Sequence, residues 1–263
     1  KYTTEFVLEE QINSIHHFSN FNYSSSMPEI FNRIYMELNS AVIKRVQNTD
    51  REIACLLSGG LDSSLIAALV KKHYKRDLHT WSIGMEGSED LKYAQMVADH
   101  IGSIHHSIIV SEEEFLSYIP EVIKTIESYD TTTVRASVGN WLICKYIKEN
   151  SDAKVIFNGD GSDEVMGGYI YMHMAPDSLE FDKETIRLLD NIHYFDVLRS
   201  DRCISSHGLE ARTPFLDRQF VAYYLSIHPN IRNYNKIGKC EKYLIRKAIE
   251  IHEPNLLPKQ VLW

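Results

Sequence analysis

The sequence predicts an α/β fold: a parallel sheet flanked by helices, with a helical portion on its C-terminal side. Between residues 53 and 157 short apolar runs alternate with amphipathic stretches, the pattern of strand–helix–strand units with parallel strands. Beyond about Ile170 the apolar residues recur at helical spacing only. Two glycine-containing turns, each following an apolar run, place a ligand site at the carboxyl ends of strands, where open parallel sheets gather their ligands.

Taken in order, residues 1–25 are polar and aromatic and read as a lead-in or linker. Residues 26–263 form one domain, its α/β layer extending to about residue 170 and its helical part following. A first helix starts at Ser26, where "SMPE" has the form of a capping box with Glu29, and Phe31, Ile34, Leu38, Ala41 and Val42 mark its apolar face. Strands are predicted over Ile53–Leu57, Leu78–Ile83, Ser107–Val110 and Val155–Phe157. Helices are predicted over Ser63–His73, Leu91–His100, Glu112–Ser128 and Ala136–Glu149, then over Asp182–Ser206, Arg218–Ser226 and Cys240–His252.

Composition narrows the function classes. No run of about 18 uninterrupted apolar residues is present, so no membrane-spanning helix is expected. A formal charge of −8 argues against a general nucleic-acid surface, and a polyanionic ligand would need local Lys/Arg or a metal. Cys55, Cys144, Cys203 and Cys240 show no CxxC spacing and read as free thiols of a reducing compartment, with a cytoplasmic location expected. His193, His207 and the pair His105–His106 lack ligand partners at metal-binding spacing and read as packing or surface residues. The chain starts at Lys1 and stops in an apolar segment, so a longer polypeptide is expected.

The first turn is "LLSGGLDSS", residues 56–64, between a predicted strand and a predicted helix. Gly59 and Gly60 allow unusual backbone angles and close ligand approach, and the amides and hydroxyls that follow suit phosphate oxygens. It is neither a Walker A loop nor a G-x-G-x-x-G dinucleotide loop. The plain alternative is an ordinary turn with Asp62 as a helix cap. A carboxylate beside pyrophosphate needs a cation between them, and Mg²⁺ usually joins one or two carboxylates to substrate phosphates. Asp62 is therefore a candidate Mg²⁺ ligand.

The second turn is "VIFNGDGSDEVMGGY", residues 155–169. Asp160, Asp163 and Glu164 stand among its glycines, and the EF-hand order is absent. A solvated acidic loop is the plain alternative. If both turns lie at strand ends they can face each other, with Asp163 sharing the metal with Asp62, and Asp160 acting as a base or orienting a nucleophile.

The run Ser-Gly-Gly-Leu-Asp-Ser-Ser resembles the pyrophosphate loop (PP-loop) of the N-type ATP pyrophosphatases, which cut ATP between its α and β phosphates. "CLLSGGLDSS", "SYDTTTVRAS", "GDGSDEVMGGYIY", "LEARTPFLD" and "KCEKYLIRKA" occur in the order seen in the C-terminal ATP-dependent domain of the asparagine synthetases, and the likeness runs from about Ser26 to Trp263. The resemblance implies an adenine nucleotide alpha-hydrolase-like fold and a ligase that makes asparagine from aspartate, ammonia and Mg-ATP through β-aspartyl-AMP. It implies that Ser58, Gly59, Gly60, Asp62 and Ser63 hold pyrophosphate and metal. Leu56 and Ile83 would flank the adenosine, Asn158 and Gly159 would meet it from the other side, and Asp163 would be the second metal-linked carboxylate. Arg135 would neutralise a carboxylate or phosphate, and Lys242 would stabilise charge as pyrophosphate departs. Glu210, Arg212 and Asp217 are either structural ties between the helical part and the sheet or substrate-side residues.

Two departures stand out. The family pattern Ser-Gly-Glu-Gly-Ser-Asp-Glu reads Asn158-Gly159-Asp160-Gly161-Ser162-Asp163-Glu164 here, so the carboxylate used around the acyl-adenylate is one methylene shorter. No cysteine precedes Cys55, so ammonia is expected either free or from a glutaminase (glutamine amidotransferase) domain upstream in the same polypeptide. A homodimer is compatible with the resemblance; nucleic-acid and membrane partners are not expected. Two other readings stay open: a related ATP-pyrophosphatase ligase with another acceptor, and a non-catalytic nucleotide-binding protein.

Overall fold

Five strands form one sheet in a computed structural model that describes residues 25–263. They are β1 (Ile53–Leu56), β2 (His79–Gly84), β3 (Ile104–Ile109), β4 (Val155–Phe157) and β5 (Glu210–Arg212). All neighbours are parallel, in the spatial order β3-β2-β1-β4-β5. Register sets Ala54 opposite His79 on one side and Ile156 on the other. The chain winds outward from β1 to β3, then crosses back to place β4 on the free side of β1. That reversal puts the turns after β1 and β4 side by side, the place where doubly wound sheets bind ligands.

The helices are α1 (Met27–Gln47), α2 (Leu61–His73), α3 (Glu89–Ile101), α4 (Glu112–Ser117), α5 (Ile119–Ile126), α6 (Thr131–Asn150), α7 (Ser162–Met166), α8 (Ser178–Asn191), α9 (Asp196–Ser205), α10 (Arg218–Ser226), α11 (Pro229–Arg232), α12 (Tyr243–His252) and α13 (Lys259–Leu262). They cover both faces of the sheet. On one face Cys55, Leu57, Val155 and Phe157 pack with Leu65, Ile66 and Leu69 of α2 and with α1 and α12. On the other, Ala54, Trp81 and Ile156 pack with Ile143 and Ile147 of α6 and Ile204 of α9. Ala54 and Cys55 thus part to opposite layers, as the two-residue period of a strand requires. β1 and β4 are apolar on both faces because both faces are covered.

α1 begins as the sequence predicts: the Glu29 carboxylate accepts from the Ser26 amide at 2.7 Å and from its hydroxyl at 2.9 Å. Its buried residues include Ile30, Ile34, Leu38 and Val42. It packs on α12, α10 and α2, and Tyr35 donates a hydrogen bond to Glu253 at 2.6 Å.

Several boundaries differ from expectation. The helix read over 112–128 is two helices, α4 and α5. Pro120 lies in the first turn of α5, where its missing N–H is harmless, whereas inside a continuous helix it would break the ladder. α6 starts at Thr131, earlier than read, because Asp130 caps it by accepting from the Thr133 amide at 2.8 Å. The helix read over 182–206 is α8 and α9, separated where Phe195 leaves helical angles (φ −124°, ψ −98°). α12 starts at Tyr243, after Lys242 at φ 56°. The expectation that strands end near Ile170 is corrected by β5, an edge strand whose Glu210 and Arg212 have the charged character of sheet edges.

β5 and the start of α10 are tied to the C-terminal end of α1. Arg212 donates to the Arg45 carbonyl, the Asn48 side chain and, at 2.8 Å, Glu210. Asp217 caps α10 through the Gln219 amide at 3.0 Å and pairs with Arg45 at 2.8 Å and Lys44 at 3.2 Å. The His105 ring is hydrogen-bonded on both nitrogens, to the Thr80 hydroxyl at 2.9 Å and the Ser82 hydroxyl at 3.0 Å. The cysteines are free, with Cys55, Cys144 and Cys203 buried and Cys240 exposed. Among the described residues no helix is long and apolar enough to cross a membrane.

Candidate active site

The turn after β1 is closed by its own serines. The Ser58 amide donates to the Ser63 hydroxyl at 3.1 Å, and the two hydroxyls lie 2.9 Å apart. Gly59 adopts φ +83°, and a β-carbon there would stand 2.5 Å from the Ala94 amide nitrogen, so only glycine lets α3 pack behind the turn. Gly60 and the residues after it start α2, whose N-terminal amides carry partial positive charge.

The turn after β4 rests directly on the first. A β-carbon at Gly159 would meet the Ser63 amide nitrogen at 2.9 Å and the Asp62 carbonyl carbon at 3.0 Å, so the two backbones touch where no side chain fits. Ser162 seals the contact by donating to Asp62 Oδ1 at 2.6 Å.

Lys242 completes the centre. Its Nζ lies 2.6 Å from Asp62 Oδ2 and 2.7 Å from Asp163 Oδ1, so one ammonium bridges the two acidic turns. Burial works against that charge, but the two carboxylates outweigh it and hold Lys242 protonated, above its ordinary range. Burial raises Asp163; Lys242 opposes the shift and Asp62 reinforces it. Asp62 and Asp163 offer hard carboxylate oxygens of the kind Mg²⁺ takes, but the point between them is filled by the Lys242 ammonium, which would have to turn aside for an ion held there. Among the described residues no group of three or more His, Cys, Asp or Glu is arranged to hold a metal.

A cavity of about 420 Å³ opens above this centre, reaching Leu56, Ser58, Asp62, Asn158 and Asp163. A second, of about 390 Å³, shares Glu164, Tyr169, Asp196 and Arg199 with it and extends to Thr132 and Thr133 at the start of α6. Arg199 pairs with Asp196, and Tyr169 donates to Glu164. Burial pushes Glu164 up to about 7. Burial also raises Asp160, against the pull of Ser200 and Arg199. Asp160 accepts from Asn158 Nδ2 at 2.7 Å.

The expected residues fall into three groups. Asp62, Asp163 and Lys242 meet at one point. Leu56, Ser58, Gly60, Ser63, Asn158, Gly159 and Asp160 reach the cavity above it. Gly59 faces a smaller cavity behind the turn, Ile83 is half-buried against the core, and Arg135 is exposed on α6; neither Ile83 nor Arg135 lines either large cavity. Asp196, Arg199 and Tyr169 escape the sequence reading; only the fold brings α9 to the strand ends.

Comparison with known proteins places these features in a family. The Asparagine synthase family model matches residues 33–181 and 173–263. Asparagine synthetase [glutamine-hydrolyzing] of Homo sapiens is 51% identical over 237 residues, covering 88% of this chain and 41% of that protein. The protein of the same name from Bos taurus is 52% identical over 230 residues, covering 86% and 40%. The chain therefore spans about two-fifths of the length of these relatives. Among solved structures, the U34-tRNA thiolase NcsA from Methanococcus maripaludis aligns with 93% of this chain and 80% of its own, at 15% identity and a TM-score of 0.44. Both acidic turns and Lys242 lie inside the segments matched by the family model, and this chain belongs to the asparagine synthase family.

Proposed function

We propose that this chain carries the ATP-dependent amidation of L-aspartate to L-asparagine. In this reading the aspartate β-carboxylate attacks the α-phosphorus of ATP, forming β-aspartyl-AMP and expelling pyrophosphate. Ammonia then attacks the acyl carbon, loses a proton, and AMP leaves. The observation that carries the reading is the pair Asp62–Asp163, drawn from two turns onto the one Lys242 ammonium at 2.6 and 2.7 Å.

Ser58, Gly59, Gly60 and Ser63 hold the pyrophosphate portion with hydroxyls and α2 amides. Asp62 and Asp163 hold Mg²⁺, which when bound neutralises phosphate charge. Lys242, kept charged by the two acids, stabilises departing pyrophosphate once its ammonium turns from between them. Leu56 and Ile83 flank adenosine, with the Asn158–Gly159 backbone opposite. Asp160 receives or directs the proton of the attacking ammonia, and Arg135 is a solvent-side cation for a phosphate or carboxylate. Ammonia arrives free or from a glutaminase domain of the same polypeptide, in the cytoplasm.

The test is mass analysis of products from Mg-ATP, aspartate and ammonium, with glutamine supplied in a separate arm. Asparagine, AMP and pyrophosphate in equal amounts are expected. AMP without asparagine would mean another acceptor, and no aspartate-dependent pyrophosphate would overturn the reading.

A further inference from the structure

We propose that Asn158 is the positioning residue for the Asp160 carboxylate, and that the two side chains work as one unit in place of the Ser-Glu pair of the family pattern. The inference rests on the aspartate-amidation reading and goes beyond it in assigning the Asn158 side chain a role.

Every polar atom of the Asn158 side chain is committed. Nδ2 donates to Asp160 Oδ2 at 2.7 Å and to the Ser200 hydroxyl at 2.8 Å. Oδ1 accepts from the Asp160 amide at 3.3 Å. The Asn158 amide itself donates to the Arg212 carbonyl at 3.2 Å, continuing the β4–β5 ladder. Only one orientation of the side-chain amide satisfies this set, because an ionised carboxylate accepts and a backbone N–H donates. Asn158 and Ser200 are 4% and 3% exposed, so the bond between them is shielded from water.

The geometry explains why the substitutions belong together. An aspartate ends one methylene closer to the backbone than a glutamate. The carboxylate of Asp160 is caught at that shorter reach by an amide that projects one atom further than a serine hydroxyl. A serine at 158 offers one donor, too short to reach both Asp160 and Ser200. A glutamate at 160 carries its carboxylate one methylene beyond the point where Asn158 Nδ2 now meets it at 2.7 Å.

Four whole-length proteins test this: wild type, Asn158→Ser, Asp160→Glu and the double variant. The first readout is asparagine formed per AMP released, a ratio independent of how much enzyme is folded. It is expected to fall at least about threefold in each single variant and to return to within about twofold of wild type in the double. The second readout, the melting temperature, needs no turnover and is expected to show the same coupling, whatever the acceptor. Should Asn158→Ser fail to fold, the comparison of Asp160→Glu with the double variant decides: serine at 158 must improve the glutamate protein. Effects that simply multiply, or a double variant worse than Asp160→Glu alone, overturn the proposal. Absence of asparagine in the wild type beside coupled melting temperatures would instead sink the aspartate reading and leave the unit standing.

Discussion

Gly168 lies so close to Lys242 that a β-carbon at 168 would stand 2.2 Å from the Lys242 Cε and 2.1 Å from Asp163 Oδ1. The bridge between the two acidic turns depends on that missing side chain. Its φ is not in the left-handed region, so the requirement is for space and not for backbone freedom. Gly168→Ala is expected to displace Lys242 from Asp163. Turnover should fall about tenfold or more while the melting temperature drops only about 3–10 °C, the range for one overpacked site. Steady-state rates and thermal denaturation of the same preparation check this; unchanged turnover would detach the bridge from function.

Lys242→Met keeps the length of the side chain and removes its charge, leaving Asp62 and Asp163 facing each other uncompensated. Destabilisation of about 1–3 kcal/mol is expected, below the value for a fully buried pair because the Asp163 side chain keeps 35% of its exposure. A divalent cation should then substitute for the ammonium. Mg²⁺ added after chelation is expected to raise the melting temperature of the variant more than that of the wild type. Equal shifts in both proteins would mean that the acids do not hold the ion.

Glu164 gives a pH signature. Burial raises its folded-state value to about 7, from an ordinary 4.5. Between those values the unfolded chain has lost the proton while the folded chain retains it. The folded state binds more protons, so this contribution to stability declines as pH rises from about 4.5 through 7. Glu164→Gln removes the titration and keeps an acceptor for the Tyr169 hydroxyl. The variant should gain on the wild type as pH increases from 5 to 8, by an amount on the order of 2 kcal/mol. Melting curves at several pH values check the sign; a constant difference would refute it.

Much of this arrangement is written locally. The turn after β1 is legible because its glycines and serines meet demands of a strand-to-helix turn that neighbours in sequence impose. Asp62 and Asp163 follow from the same chemistry plus the rule that ligands gather where strand order reverses. β5 is not legible: Glu-Ala-Arg has no strand character, and it becomes a strand because the Glu210 amide finds the Lys154 carbonyl at 2.8 Å, a tertiary pairing that overrides propensity. Asp196 and Arg199 look like an ordinary helical ion pair until α9 is laid across the strand ends. Arg135, prominent in its motif, stands exposed because the face of α6 that enters the core is taken by Val134, Val138, Trp141 and Leu142.

The packing of α1 against α12 bears on how the chain is made. Tyr35 and Glu253, which meet at 2.6 Å, are 218 positions apart. A ribosome adding about 5–20 residues per second takes about 10–40 s to traverse that interval. Throughout it, α1 has emerged without the α12 surface that finally packs against it. α1 can dock early on α2 and later on α10, but the part of its apolar face that α12 covers waits longest, and messages cut short before α12 leave that part bare.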